Sequence, residues 1–313
     1  YFSYIGIFTV KFNRLINSIL FRNYLKIQKL DKKNFFKRNS IYTDNQVKTY
    51  LNCLDQLEKK GFTKIKLSDL NLKNVFSIKN FLIEVSTKYK LSIDELENEN
   101  LIAHKDKNYW KEIYRQNYNY ESYNPEDPVQ ELILNDAINK IAYLYLKRKF
   151  FVQELNFYCS PKSKTNLNEK TLIGSQGWHL DNQWNSQFKI FYSPYTLNKN
   201  CGPTTLYPAD LSKNLEYPNY PGYFNDETAQ ENGFNLNSQK EMDSTPEEIF
   251  IADTSRCFHY GSRNVKKSRF LLIIALAPIP YNLSPFYVRK GLKKGFNFKY
   301  LNSQIKKFFI SYK

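Results

Sequence analysis

The sequence predicts an α+β chain in which a helical first half packs on one side of a β-sandwich or barrel. Two observations carry this. The hydrophobic period is 3.6 residues before Phe150 and 2 from there on, and many short strand candidates then follow one another between turn-rich pieces. The composition agrees: 42% hydrophobic against 24% charged over 313 residues is enough apolar material for a sizeable core.

Taken in order, Phe12, Leu15, Ile16 and Ile19 fall on one helical face with Lys11, Arg14 and Arg22 opposite, a helix that packs on the domain or lies on a membrane surface. Val47, Tyr50, Leu51, Leu54 and Leu57 define a second helix, with Asp44 as its cap and Gly61 as its stop. Residues 62–67 alternate like a strand. A further helix starts at Pro128 and presents Leu132, Ile133, Ile138, Ile141, Ala142 and Tyr145 before the basic run at 147–149. Strands are expected at 151–159, 177–180, 188–192, 204–207, 249–252, 257–260 and 269–277. Residues 208–248 are polar and rich in Asn, Pro and Tyr, and read as an irregular lid with no extended secondary structure of its own. The expected organisation is a helical region over 1–127 packed on the core, a catalytic core over 128–280 that includes this lid, and a basic extension over 281–313.

Charge and cysteine content narrow the function. Residues 1–50 carry ten Lys/Arg against two Asp/Glu and residues 281–313 carry eight against none, whereas 51–280 hold equal numbers of each sign. A phosphate-tracking groove needs a basic excess at its centre, so the net charge of +16 argues for solvated basic ends rather than for nucleic acid. Contact of those termini with a membrane surface stays open. No apolar run approaches the length of a membrane span. Four cysteines without a C-x-x-C pair suit a reduced, cytoplasmic setting. The chain begins at Tyr1, which leaves a removed targeting segment open.

The chemistry concentrates in three residues. His179 and Asp181 lie two apart on an expected strand and so face one side, and His259 lies on another expected strand. Two His and one carboxylate that leave the remaining metal positions open are the arrangement of non-haem Fe(II) oxygenases. Zinc would recruit a further ligand, for which Cys257 is the nearby thiol. Ten residues beyond His259, after a tight turn, Arg269 opens an apolar strand. A guanidinium at a core edge asks for an anion, such as the remote carboxylate of a cosubstrate.

Over residues 128–280 the chain resembles the phytanoyl-CoA dioxygenase-like Fe(II)/2-oxoglutarate-dependent oxygenases. The likeness rests on the helix at 129–147, the W-H-x-D run at 178–181, the segments 188–192 and 200–204, and the stretch from His259 to Arg269. It implies a double-stranded β-helix (jelly roll) in which His179, Asp181 and His259 bind Fe(II) and Arg269 binds the C5 carboxylate of 2-oxoglutarate. Dioxygen would then be consumed, succinate and CO2 released, and a small-molecule substrate hydroxylated, desaturated or cyclised. Two departures stand out: Pro208-Ala209-Asp210-Leu211 replaces the family's Pro-Gly-Ser-His turn, and Arg263 or Lys267 are alternatives to Arg269. The presence of Asp181 disfavours halogenation.

Secondary candidates are Thr204 and Ser262 as hydroxyl contacts to cosubstrate, and Lys189, Trp178, Arg256 and Arg263 near substrate, the two arginines suiting an anionic one. His104 reads as structural or exposed. The rival readings are a jelly-roll ligand-binding protein without redox chemistry, and a nucleic-acid or lipid-headgroup hydroxylase docking through its basic termini.

Overall fold

Helices, a five-stranded sheet and a three-stranded sheet stack in that order in the computed structural model, which describes residues 30–38, 42–73, 76–84, 127–160, 172, 174–181, 186–213, 215, 223–261, 263, 267, 269–278 and 303–307. The expected helix at 12–19, His104, Ser262 and most of the basic extension lie outside these residues.

The helical layer includes α1 (Lys32–Lys37), α2 (Asp44–Lys60), α3 (Pro128–Ile133) and α4 (Asp136–Leu146), with a further helical stretch at 76–84. Helix α2 starts with a capping box between Thr43 and Gln46, so Thr43 and not Asp44 is the cap; Asp44 instead adds a negative charge to the first turn. It stops at Gly61, whose φ of 82° is left-handed. The single helix expected from Pro128 is two. Asn135 interrupts it because its side chain accepts from Ile138 N and donates to Leu70 O, so it caps α4. Buried Lys140 of α4 donates to the carbonyls of Phe36 and Arg38 at 3.0 and 3.1 Å and pairs with Asp136, which ties α4 to the end of α1.

The large sheet contains β1 (Phe62–Lys66), β2 (Phe150–Ser160), β3 (Phe188–Tyr192), β6 (Glu248–Ala252) and β8 (Arg269–Pro278) in the order β1-β6-β3-β8-β2, antiparallel throughout. The small sheet pairs β4 (Thr205–Leu206) with β5 (Lys240–Glu241) and β7 (His259–Tyr260). Alternation, interrupted by a register shift between Val152 and Glu154 of β2, gives the large sheet two different faces. Phe188, Ile190, Tyr192, Ile249, Ile251, Leu272 and Ile274 pack under the helices. Phe191, Phe250, Ala252 and Leu271 pack against Leu206, Met242 and Cys257 on the side of the small sheet. Among the described residues the two sheets are separate and do not close into a barrel.

The segment 208–248 departs from its expected irregularity. It contains α5 (Ala209–Ser212), α6 (Asp226–Glu231), a 3-10 turn at Leu236–Ser238 and β5, and it buries Phe234 beside Trp178. Short polar elements of this kind lack the long apolar period by which helices and strands are read. Residues 216–222, with Tyr217 and Tyr220, lie outside the described residues.

Gly61 joins the helical layer to the site. A Cβ there would overlap Cys257 Sγ and come within 2.9 Å of Ala209 Cβ, and the positive φ adds strain for any other residue. Gly61→Ala should therefore destabilise the protein by about 2 to 4 kcal/mol, seen as a lower urea midpoint at unchanged slope. An unchanged midpoint would show that this junction has room to spare.

Candidate metal centre

His259 is placed by β7, which pairs with β4 on one side and, at His259 itself, forms an isolated bridge to His179 on the other. His179 N donates to His259 O at 3.0 Å and His259 N donates to His179 O at 2.9 Å. Residues that exchange both bonds sit directly opposite and point their side chains to one face. Their ring centroids are accordingly 4.1 Å apart. Asp181, two residues on, returns to the same face while its N–H donates to Thr254 O at 2.9 Å. Ligand atoms of His179, Asp181 and His259 all lie within 4.8 Å of one another, with His259 Nε2 3.7 Å from Asp181 Oδ2.

The protonation states suit a cation. His179 Nδ1 lies 2.9 Å from Gly177 O and His259 Nδ1 lies 3.2 Å from Cys257 O. A carbonyl only accepts, so each Nδ1 carries the hydrogen and each Nε2 keeps its lone pair for a metal. Burial, with His179 alongside, pushes His259 down to about 3. Burial also lowers His179, against the opposing pull of Asp181. For Asp181, burial alone would raise the carboxyl, but Lys189 and the two imidazoles outweigh it and hold it below the usual carboxylate range. The cluster is therefore two neutral imidazoles and one carboxylate at neutral pH.

The other sequence candidates fall in distinct places. Lys189 Nζ donates to Asp181 Oδ2 at 2.6 Å. Arg269 is buried; its Nη1 donates to Gly202 O at 3.0 Å and to Thr204 Oγ1 at 3.2 Å, beside Gly261, two residues after His259. Trp178 is buried against Tyr207, Phe234 and Tyr260, and its indole N–H donates to Asp226 at 2.8 Å. Arg263 grips the same Asp226 at 2.8 and 2.9 Å, donates to Gln176 O and lies 3.5 Å over the Tyr260 ring. Arg256 donates to Leu57 O and Glu58 O at the end of α2 and to the Tyr145 hydroxyl. Cys257 donates to Lys60 O and does not join the cluster; burial raises its thiol.

Two features escape a reading of motifs. Tyr223 stands edge-on to His179 with centroids 4.8 Å apart and is 56% exposed, next to Phe224, which pairs with Trp178. Asp253, fully buried, accepts from Gln187 N, Ser255 N and the Tyr145 hydroxyl. Burial raises its carboxyl to about 6 in spite of those bonds. An acid placed directly after the apolar strand Ile249–Ala252 was the available signal for the second; for the first it was the group of aromatics, Tyr223, Phe224 and Phe234 among them, that the expected lid would offer as a cover.

A pH experiment follows. The folded-state value of His259 lies below its ordinary 6.5, so the unfolded chain takes the proton first and stability is lost as pH falls from about 6.5 toward about 3. With metal chelated, the stability difference between the natural chain and His259→Gln should move in favour of the variant by about 2 kcal/mol between about pH 7.5 and about pH 5. A constant difference would mean that His259 is not held neutral by burial.

No family model and no curated protein matches the chain. Among solved structures it is similar to the apo form of the non-heme monooxygenase ThoJ, at 9% identity and TM-score 0.46 over 83% of this chain and 99% of that one. It is also similar to AviO1 from Streptomyces viridochromogenes, at 11% identity and TM-score 0.45 over 74% and 97% of the two chains. A third is the epimerase SnoN in complex with Fe3+, alpha ketoglutarate and nogalamycin RO, at 8% identity and TM-score 0.43 over 74% and 84%.

Proposed function

We propose that the protein is a non-haem Fe(II)- and 2-oxoglutarate-dependent oxygenase acting on a small molecule, and that its two sheets are the halves of a double-stranded β-helix. The observation that carries the proposal is the His179–Asp181–His259 cluster, with two neutral nitrogens and one carboxylate converging from adjacent backbone positions. That donor set fits iron and leaves the remaining metal positions open. A zinc site would recruit a further ligand, and Cys257 is turned away to Lys60 O.

His179 Nε2, His259 Nε2 and an Asp181 oxygen would hold the iron. When bound, iron and 2-oxoglutarate together activate dioxygen for oxidation of a C–H bond, with succinate and CO2 as coproducts. Arg269 is preset to receive the cosubstrate's far carboxylate: its guanidinium is buried, held by Gly202 O and Thr204 Oγ1, and opens the strand beside β7 in sequence. Because Thr204 Oγ1 accepts from Arg269, its own hydrogen is directed elsewhere and would serve a second carboxylate contact. Of the three ligands His259 is buried, while His179 and Asp181 are partly open, which leaves the cluster accessible from one side. The segment 208–248 is the cover in this reading, with Tyr223 lying against His179 at the exposed side. Hydroxylation is the default outcome. No helix among the described residues is long and apolar enough to cross a membrane.

Two experiments test the proposal. The anaerobically iron-loaded protein, exposed to air with 2-oxoglutarate and pools of metabolites, should release succinate; His179→Ala, Asp181→Ala and His259→Ala should lose both iron and turnover, whereas His104→Ala should keep them. Iron binding at full stoichiometry by His259→Ala would remove the site from consideration. Arg269→Ala should bind iron normally but raise the 2-oxoglutarate requirement by about thirtyfold to a thousandfold, on the order of 2 to 4 kcal/mol. An unchanged requirement would move the carboxylate contact to another residue.

A further inference from the structure

The row of the large sheet nearest the metal cluster reads Glu154, Ala275, Lys189, Ala252, Phe62 across β2, β8, β3, β6 and β1. It lies on the face that carries Phe191, Phe250 and Leu271 toward the small sheet. A lysine in the central strand of such a sheet is costly to bury, and the alanines on either side leave its stem unobstructed. Its side chain is only 13% exposed, and the ammonium ends 2.6 Å from Asp181 Oδ2. That oxygen is also the one 3.7 Å from His259 Nε2. Lys189 thus engages the carboxylate at the oxygen that faces His259 Nε2. Here the ammonium and an ion held by the cluster would draw on one atom, and two cations on one oxygen repel.

We propose that Lys189 competes with the metal for Asp181: its ammonium is the counter-cation of the metal-free site, and metal binding draws the carboxylate away from it. The inference rests on the metal-centre reading above. Its consequence is a trade. A partly buried carboxylate beside two neutral imidazoles is destabilising without a cation, so Lys189 keeps the empty site formed and, by the same contact, weakens the affinity for metal.

The test is calorimetric titration of Mn2+ into chelator-stripped natural chain, Lys189→Met, Lys189→Gln and Lys189→Arg, with melting curves for each. Competition by charge predicts at least about tenfold tighter binding for the Met and Gln variants, and affinity near that of the natural chain for the Arg variant. It also predicts that metal raises the melting temperature of the Met variant more than that of the natural chain. Unchanged or weaker binding by both uncharged variants would overturn competition while leaving the metal centre standing. Failure of the natural chain to bind Mn2+, or binding that survives His259→Ala, would remove the metal centre and the competition together. A Met variant that folds only with metal meets the expectation; if the Gln variant also stays unfolded with metal present, the inference fails.

Discussion

The site depends on one pair of backbone hydrogen bonds, those exchanged by His179 and His259. Without them two histidines eighty positions apart in sequence have no reason to share a face. With them, the imidazole centroids sit 4.1 Å apart and Asp181 follows from the two-residue repeat. The pairing is also unforgiving, since a slip of one residue would turn an imidazole to the opposite side. Three other main-chain contacts resist such a slip: β7 on β4, Trp178 on Phe224 and Asp181 N on Thr254 O.

Strands of two residues cannot hold such a register by themselves. The aromatic cluster behind them supplies the packing. Trp178 meets Tyr260 edge to face at 4.6 Å, and Phe234, Phe258 and Tyr207 fill the remaining sides. Asp226 then ties the cluster together, accepting from the Trp178 indole and from Arg263, which itself lies on Tyr260. The residues flanking the metal ligands in sequence are thus mostly structural. Arg263 in particular is committed to an ion pair on α6, its Nη1 donating to both oxygens of Asp226.

A second buried network couples this site to the helices. Asp253 accepts from Gln187 N and Ser255 N with one oxygen and from the Tyr145 hydroxyl of α4 with the other. Arg256 donates to that hydroxyl and to the carbonyls at the end of α2, where the helix dipole favours a cation. Because a buried anion without partners is destabilising, these bonds fix where the chain leaves β6 and therefore where Thr254 stands to receive Asp181 N. The helical layer in this way determines part of the metal geometry without touching it.

Local pattern by itself determined the switch from helix to strand at Phe150, the strands at 188–192 and 249–252, and the choice of His179, Asp181 and His259 as candidate ligands, because periodicity and residue chemistry can be read along the chain. Its errors are equally local: Asn135 looked like one polar residue inside a helix and is a cap, and Asp44 looked like a cap beside the Thr43 that does the capping. Tertiary structure alone decided the rest. Sequence cannot specify that 177–180 forms single bridges instead of a strand, since that depends on the partner brought alongside. Nor can it specify that Tyr223 reaches His179, that Lys189 ends on Asp181 or that Arg256 turns to α2. Each of these is a contact between residues far apart in the chain, set by sheet register and by the need to pair buried charge, and neither leaves a repeat in the sequence to be read.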